Sequence, residues 1–80
     1  MPGPHAEMSF SAALEVVKKG HRASRKNWNG RGMWIALHRP HSDDDMDRPY
    51  IYMKTADNEY VPWVASQTDL LASDWTAVTS

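Results

Sequence analysis

The run from Ser9 to Gly20 constrains this chain more than any other feature. Ser9 is a good N-cap, and Phe10, Ala13, Leu14 and Val17 then recur at the i, i+3, i+4, i+7 spacing of one helical face. Lys18 and Lys19 suit the negative end of the helix dipole, and Gly20 supplies a left-handed stop. The pattern predicts an amphipathic helix over 9–19. A helix of this length covers one face of a small sheet and leaves the other face without a helical partner.

Beyond Gly20 the chain reads as short strands. Residues 21–26 (HRASRK) suit a short polar strand, and Asn29-Gly30-Arg31-Gly32 is turn chemistry. Met33 to Arg39 alternates, with Met33, Ile35 and Leu37 on one side and Trp34, Ala36 and His38 on the other. A polar loop bounded by Pro40 and Pro49 leads into a strand over 50–55, with Ile51 and Met53 opposing Tyr50 and Tyr52. Asp57-Asn58 forms a hairpin turn into Tyr60–Val64, where Pro62 marks an edge or the strand's end. A short helix over 66–72 and a strand over 75–78 complete the order α-β-β-β-β-α-β. This predicts an α+β fold: an N-terminal helix packed on a roughly five-stranded antiparallel sheet, with a short second helix before the last strand. Residues 1–8 (MPGPHAEM) suit a flexible leader, and 9–80 a single domain.

The alternation has a consequence for assembly. Ile35, Leu37, Ile51 and Met53 fit the face beneath the helix, which puts Trp34, Tyr50, Tyr52 and Tyr60 on the uncovered one. That is a larger aromatic patch than a soluble monomer leaves in water. Self-association through a two-fold interface is the simplest way to cover it.

Composition narrows the function. At 80 residues the chain buries only about 60% of its unfolded surface, so its core is small. The absence of cysteine excludes a disulfide scaffold and a Cys-based zinc site, and suits a reducing interior. A net charge of −1 gives no global attraction to nucleic acid or an anionic membrane, and no apolar run approaches the roughly 20 residues of a membrane span. The start has no basic region followed by an apolar stretch, as a signal peptide would. These features predict a soluble, intracellular protein. Charge is nevertheless segregated: Lys18, Lys19, Arg22, Arg25, Lys26 and Arg31 fall together, and Asp43, Asp44, Asp45 and Asp47 form an acidic run.

Few constellations support chemistry. His38, His41 and the acidic run match neither a helical histidine pair nor a calcium loop, and read as a solvated hairpin loop rather than a metal site. No nucleophile elbow is present and nothing sets a base beside a nucleophile. The basic segment with Trp28 pairs cations with a stacking ring. The acidic run opposes a long polyanion, so a small phosphate-bearing ligand suits it better; the alternative is that the cations are solvated and Trp28 belongs to the core. In VPWVASQTDLLASDW (61–75), Ser66 and Asp69 approximate a capping box, with Leu70 and Leu71 buried beneath it and Trp63 and Trp75 beside it. A helix start can also bind ligand groups, but Asp69 already occupies the positive end and disfavours phosphate there. Ser66, Gln67, Thr68 and Asp69 suit ribose hydroxyls or a base edge. The residues alone leave cap and site equally open.

Three blocks read together as something more specific. The helix ending at Gly20 followed by ASRKNWNGRGMWI (23–35), the segment YIYMKTADNEYVPWVASQTDLLASDW (50–75), and their order resemble the Thoeris anti-defence sponge family of phage and prophage domains. The resemblance covers about residues 9–78. It implies a cytoplasmic protein of the bacterial host cell, a tetramer of helix-on-sheet subunits, and a non-enzymatic sponge with no cofactor and no metal. Such a sponge binds a cyclic ADP-ribose-type immune signal, in some members a cyclic dinucleotide, and holds it intact. Under this implication Trp28 or Trp34 is the stacking surface, Asn29, Ser66, Thr68 and Asp69 are polar contacts, and Arg25, then Arg31, takes phosphate. The short acidic 41–48 loop departs from many relatives, which carry a longer insertion there and so leave ligand choice open. Rival readings are a hydrolase of the same signal and a protein-interaction module using the aromatic sheet face.

Overall fold

The computed structural model describes residues 7–28, 32–40 and 48–78. The chain order is α1 (Phe10–Lys18), β1 (Arg22–Arg25), β2 (Trp34–His38), β3 (Tyr50–Lys54), β4 (Tyr60–Pro62), α2 (Gln67–Leu71) and β5 (Trp75–Val78). The expected class is met: an N-terminal helix on a five-stranded antiparallel sheet, with a short second helix before the last strand.

Helix α1 ends as its sequence dictates. The Ser9 hydroxyl accepts from the backbone N–H of Ala12. At the other end Gly20, at φ +95°, donates to Val17 and His21 donates to Val16, which together form a Schellman motif. Ala13 and Val17, one turn apart, are fully buried against the sheet.

The sheet order is β4-β3-β2-β1-β5, so the last strand lies beside the first. Registers Trp34↔Lys54, Ala36↔Tyr52 and His38↔Tyr50 align the outward residues of β2 and β3, while Ala23↔Ile35 and Ile35↔Met53 align the inward ones. The core is Ala13, Val17, Ala23, Ile35 and Trp75, with Leu37, Ile51, Met53, Phe10, Trp63 and Trp28 packed around it. The face assigned from alternation to Ile35, Leu37, Ile51 and Met53 is therefore the covered one.

Because β4 and β5 are opposite edges, residues 63–74 must cross the sheet. They cross on the helix side: Trp63 packs against Phe10 and Trp75 with ring centroids 5.9 Å away in each case. Four strand spacings amount to roughly 19 Å, well within the reach of twelve residues even with a helical turn among them. This crossing segment is what builds the candidate site.

Two details depart from the sequence reading. Leu70 and Leu71 are not buried: they are 46% and 83% exposed. Helix α2 spans only five residues and turns Asp69 towards the sheet, so positions 70 and 71, about 100° and 200° further round, face outward. Glu7 and Met8, which fall in the expected leader, make defined contacts. Met8 exchanges backbone hydrogen bonds with Trp75 at 2.7 and 3.1 Å, and Glu7 pairs with Lys26 at 3.1 Å. The rest of the leader, residues 1–6, and the acidic run lie outside the described residues. No helix among the described residues is long and apolar enough to cross a membrane.

Candidate functional site

Strand β1 alternates outward and inward as Arg22, Ala23, Ser24, Arg25, since Ala23 and Trp75, the partners of core residues, point under the helix. Arg25 therefore points to the covered face, although a cation on a strand end reads from sequence as solvated. Its guanidinium is held between two carboxylates. Nε donates to Asp74 Oδ1 and Nη1 to Asp69 Oδ1, each at 2.9 Å, and all three side chains are 12–13% exposed.

Both acids reach beyond Arg25. Asp74 Oδ2 accepts the backbone N–H of Asn27 at 3.0 Å, fixing the turn after β1. Asp69 Oδ1 also accepts the Trp28 indole N–H at 3.3 Å, and its Oδ2 accepts the backbone N–H of Ser66 at 3.2 Å. The Ser66 hydroxyl accepts from the Asp69 backbone at 3.1 Å, completing the capping box expected from the sequence. One α2 carbonyl is met by a side chain as well, because the Trp75 indole donates to the Asp69 backbone oxygen at 2.9 Å. No buried side-chain nitrogen or oxygen among the described residues lacks a partner.

The electrostatics follow from this geometry. The hydrogen bond to Arg25 leads in holding Asp74 below the usual carboxylate range, against the opposing effect of burial. For Asp69 burial pushes upward most strongly, yet bonds from Arg25, Ser66 and Trp28 together outweigh it and lower the pKa. One cation facing two anions leaves the corner net negative. A phosphate brought to Arg25 would meet both carboxylates.

Trp28 is half-buried, its ring set edge-on to Trp75 at 5.2 Å and 79°. Ser66 and Thr68 are exposed at the start of α2. Arg25, Trp28, Ser66 and Asp69 are thus joined in one hydrogen-bonded corner, with Thr68 on the neighbouring helical position. Asn29 and Arg31 lie outside the described residues. Asp74 is the member that sequence reasoning missed. The signal available was slight: an acid directly before an inward-facing tryptophan, with its cation 49 residues away.

Trp34 is elsewhere. It projects from β2 on the open face, where Arg22 stacks over it at 4.9 Å and Tyr52 and Tyr60 lie 5.9 and 6.3 Å off. The two candidate stacking rings therefore occupy opposite faces of the sheet. On the open face a shallow cavity of about 280 Å³ is lined by His38, Tyr50, Tyr52, Tyr60, Val61 and Pro62. No group of three or more histidine or acidic residues is placed to hold a metal among the described residues.

Residues 8–78 match the model of the Thoeris anti-defense 2-like domain. The chain is also 39% identical over 88 residues to Thoeris anti-defense 2 of Bacillus phage SP01, an alignment covering 90% of this chain and 96% of that protein.

Proposed function

The chain belongs to the Thoeris anti-defense 2-like family, whose role is anti-defence, and on that premise we propose that it is a sponge. It binds a cyclic nucleotide immune signal, a cyclic ADP-ribose isomer or a cyclic dinucleotide, and sequesters it unaltered within the bacterial host cell. The observation that carries this reading is the Trp28 corner: a half-buried aromatic ring held by hydrogen bonds beside the polar start of α2. A sponge needs such fixed recognition surfaces and no reacting group.

In this reading an adenine stacks on Trp28, a contact worth about 1–3 kcal/mol. Ribose hydroxyls or a base edge meet Ser66, Thr68, Asp69 and Asn29. The net negative corner turns phosphate away, which leaves Arg31 as the cation for it. Trp34 serves the open face instead.

Assembly belongs to the same proposal. Two separate apolar surfaces are exposed: the aromatic sheet face with Tyr60 at 66%, and the outer side of the crossing segment, where Val64 is 87% exposed. A dihedral tetramer needs two different two-fold contacts, and each surface is available for one. The rival use of the sheet face is a host protein.

One incubation separates sponge from hydrolase. The protein is mixed with cyclic ADP-ribose isomers, denatured by heat, and the supernatant analysed. Unchanged ligand recovered at protein stoichiometry supports the sponge; altered product in excess of protein overturns it. Solution mass decides the second point, because a monomer at micromolar concentration would assign the aromatic face to another partner.

A further inference from the structure

Arg25 touches Trp28 by two routes, and neither involves a ligand. Through Asp74 it fixes the backbone N–H of Asn27, one residue before the ring. Through Asp69 it fixes the oxygen that receives the indole N–H. The first route sets where the ring leaves the backbone, and the second sets the plane in which it lies. Trp75 closes the remaining side by its edge contact. We infer that Arg25 is a positioning residue: its fork aligns two carboxylates that together orient the Trp28 indole for stacking. This rests on the reading of Trp28 as a ligand platform.

The alternative duty for Arg25, a direct phosphate contact, runs against the same geometry. Nε and Nη1 are committed to carboxylates, and both acids are ionised and close by. An arginine suits the bridging task because its planar fork presents separate donors at a fixed angle. The lysine ammonium is a single point charge on a flexible stem and cannot reproduce that span. Arg25→Lys therefore keeps the charge while removing the alignment.

The indole signals report this without any ligand. In full-length protein labelled with ¹⁵N-tryptophan, the Trp28 resonance is assigned by its loss in Trp28→Phe. Arg25→Lys is expected to shift or broaden the Trp28 indole N–H signal while the signal of Trp34, on the opposite face of the sheet, stays in place. Affinity for cyclic ADP-ribose should fall at least tenfold. An unmoved Trp28 signal would overturn the inference, and an affinity loss beside it would make Arg25 a phosphate ligand; a moved signal with unchanged affinity overturns it as well. If Arg25→Lys does not fold, Asp74→Asn decides instead, since it removes the charge that holds Arg25 Nε and leaves the acceptor of the Trp28 indole unaltered. A Trp28 signal unmoved there also overturns the proposal. Should the parent protein bind neither a cyclic ADP-ribose isomer nor a cyclic dinucleotide, the sponge reading fails, and the indole measurement still decides whether Arg25 positions the ring.

Discussion

The Arg25 corner and the open sheet face use aromatic side chains in opposite ways. In the corner, Trp28 and Trp75 each donate an indole N–H to an acceptor on α2, and part-buried ions hold the pieces in register. On the open face, Trp34, Tyr52 and Tyr60 lean on one another at 5.9–6.3 Å, with Arg22 as their polar neighbour. The first arrangement fixes a ring in one orientation. The second presents adaptable apolar area. Precision of placement comes from directional bonds in a part-buried site, whereas adhesion needs only surface.

The largest effect should come from the corner. Asp74→Ala leaves the part-buried Arg25 with half its partners and frees the Asn27 N–H, which should destabilise the protein by about 1.5–3 kcal/mol. At roughly 4–8 °C per kcal/mol for a domain this small, calorimetry should register a fall in Tm of about 6 °C or more. Acid comes next. Asp69 and Asp74 both have lowered pKa values in the folded state, so their contribution is complete above the unfolded carboxylate value. It is lost as pH falls below about 4 and through the folded values. Thermal melts of Asp74→Asn should therefore lose less stability between pH 4 and pH 2 than the parent; an equal loss would place the acid sensitivity elsewhere. The smallest stability effect belongs to the open face. Tyr60→Ser should change monomer stability by no more than about 0.5 kcal/mol, yet reduce the solution mass. A large drop in Tm with unchanged mass would erase the contrast between the two regions.

Much of the fold was legible because its signals are local. The Ser9 cap, the Gly20 stop, the Ser66–Asp69 box and the period-2 alternation of β2 and β3 each sit within a few residues. The sheet order was not, since the pairing of β1 with β5 joins opposite ends of the chain. That missing neighbour is why Arg25 reads as a surface cation and Asp74 passes unnoticed. The burial expected of Leu70 and Leu71 failed for a related reason. A five-residue helix has one inward side, and the carboxylate of Asp69 took it. Trp28 and Asp69 were each identified singly; that they share a hydrogen bond is a property of the crossing segment.

The partnership of β1 with β5 also bears on how the protein is made. Ser24 and Thr76 are hydrogen-bonded across 52 residues of sequence, and Trp75 is the largest fully buried side chain. A ribosome therefore has to deliver nearly the whole domain before the first strand meets its outer neighbour or the core its central ring. Until then α1, β1 and β2 can pack on one another but lack the central Trp75 ring and the outer strand, so completing the core waits for a non-local closure. Nascent chains would expose apolar strands throughout that interval, so chaperone demand during synthesis should track how quickly residues 75–78 emerge.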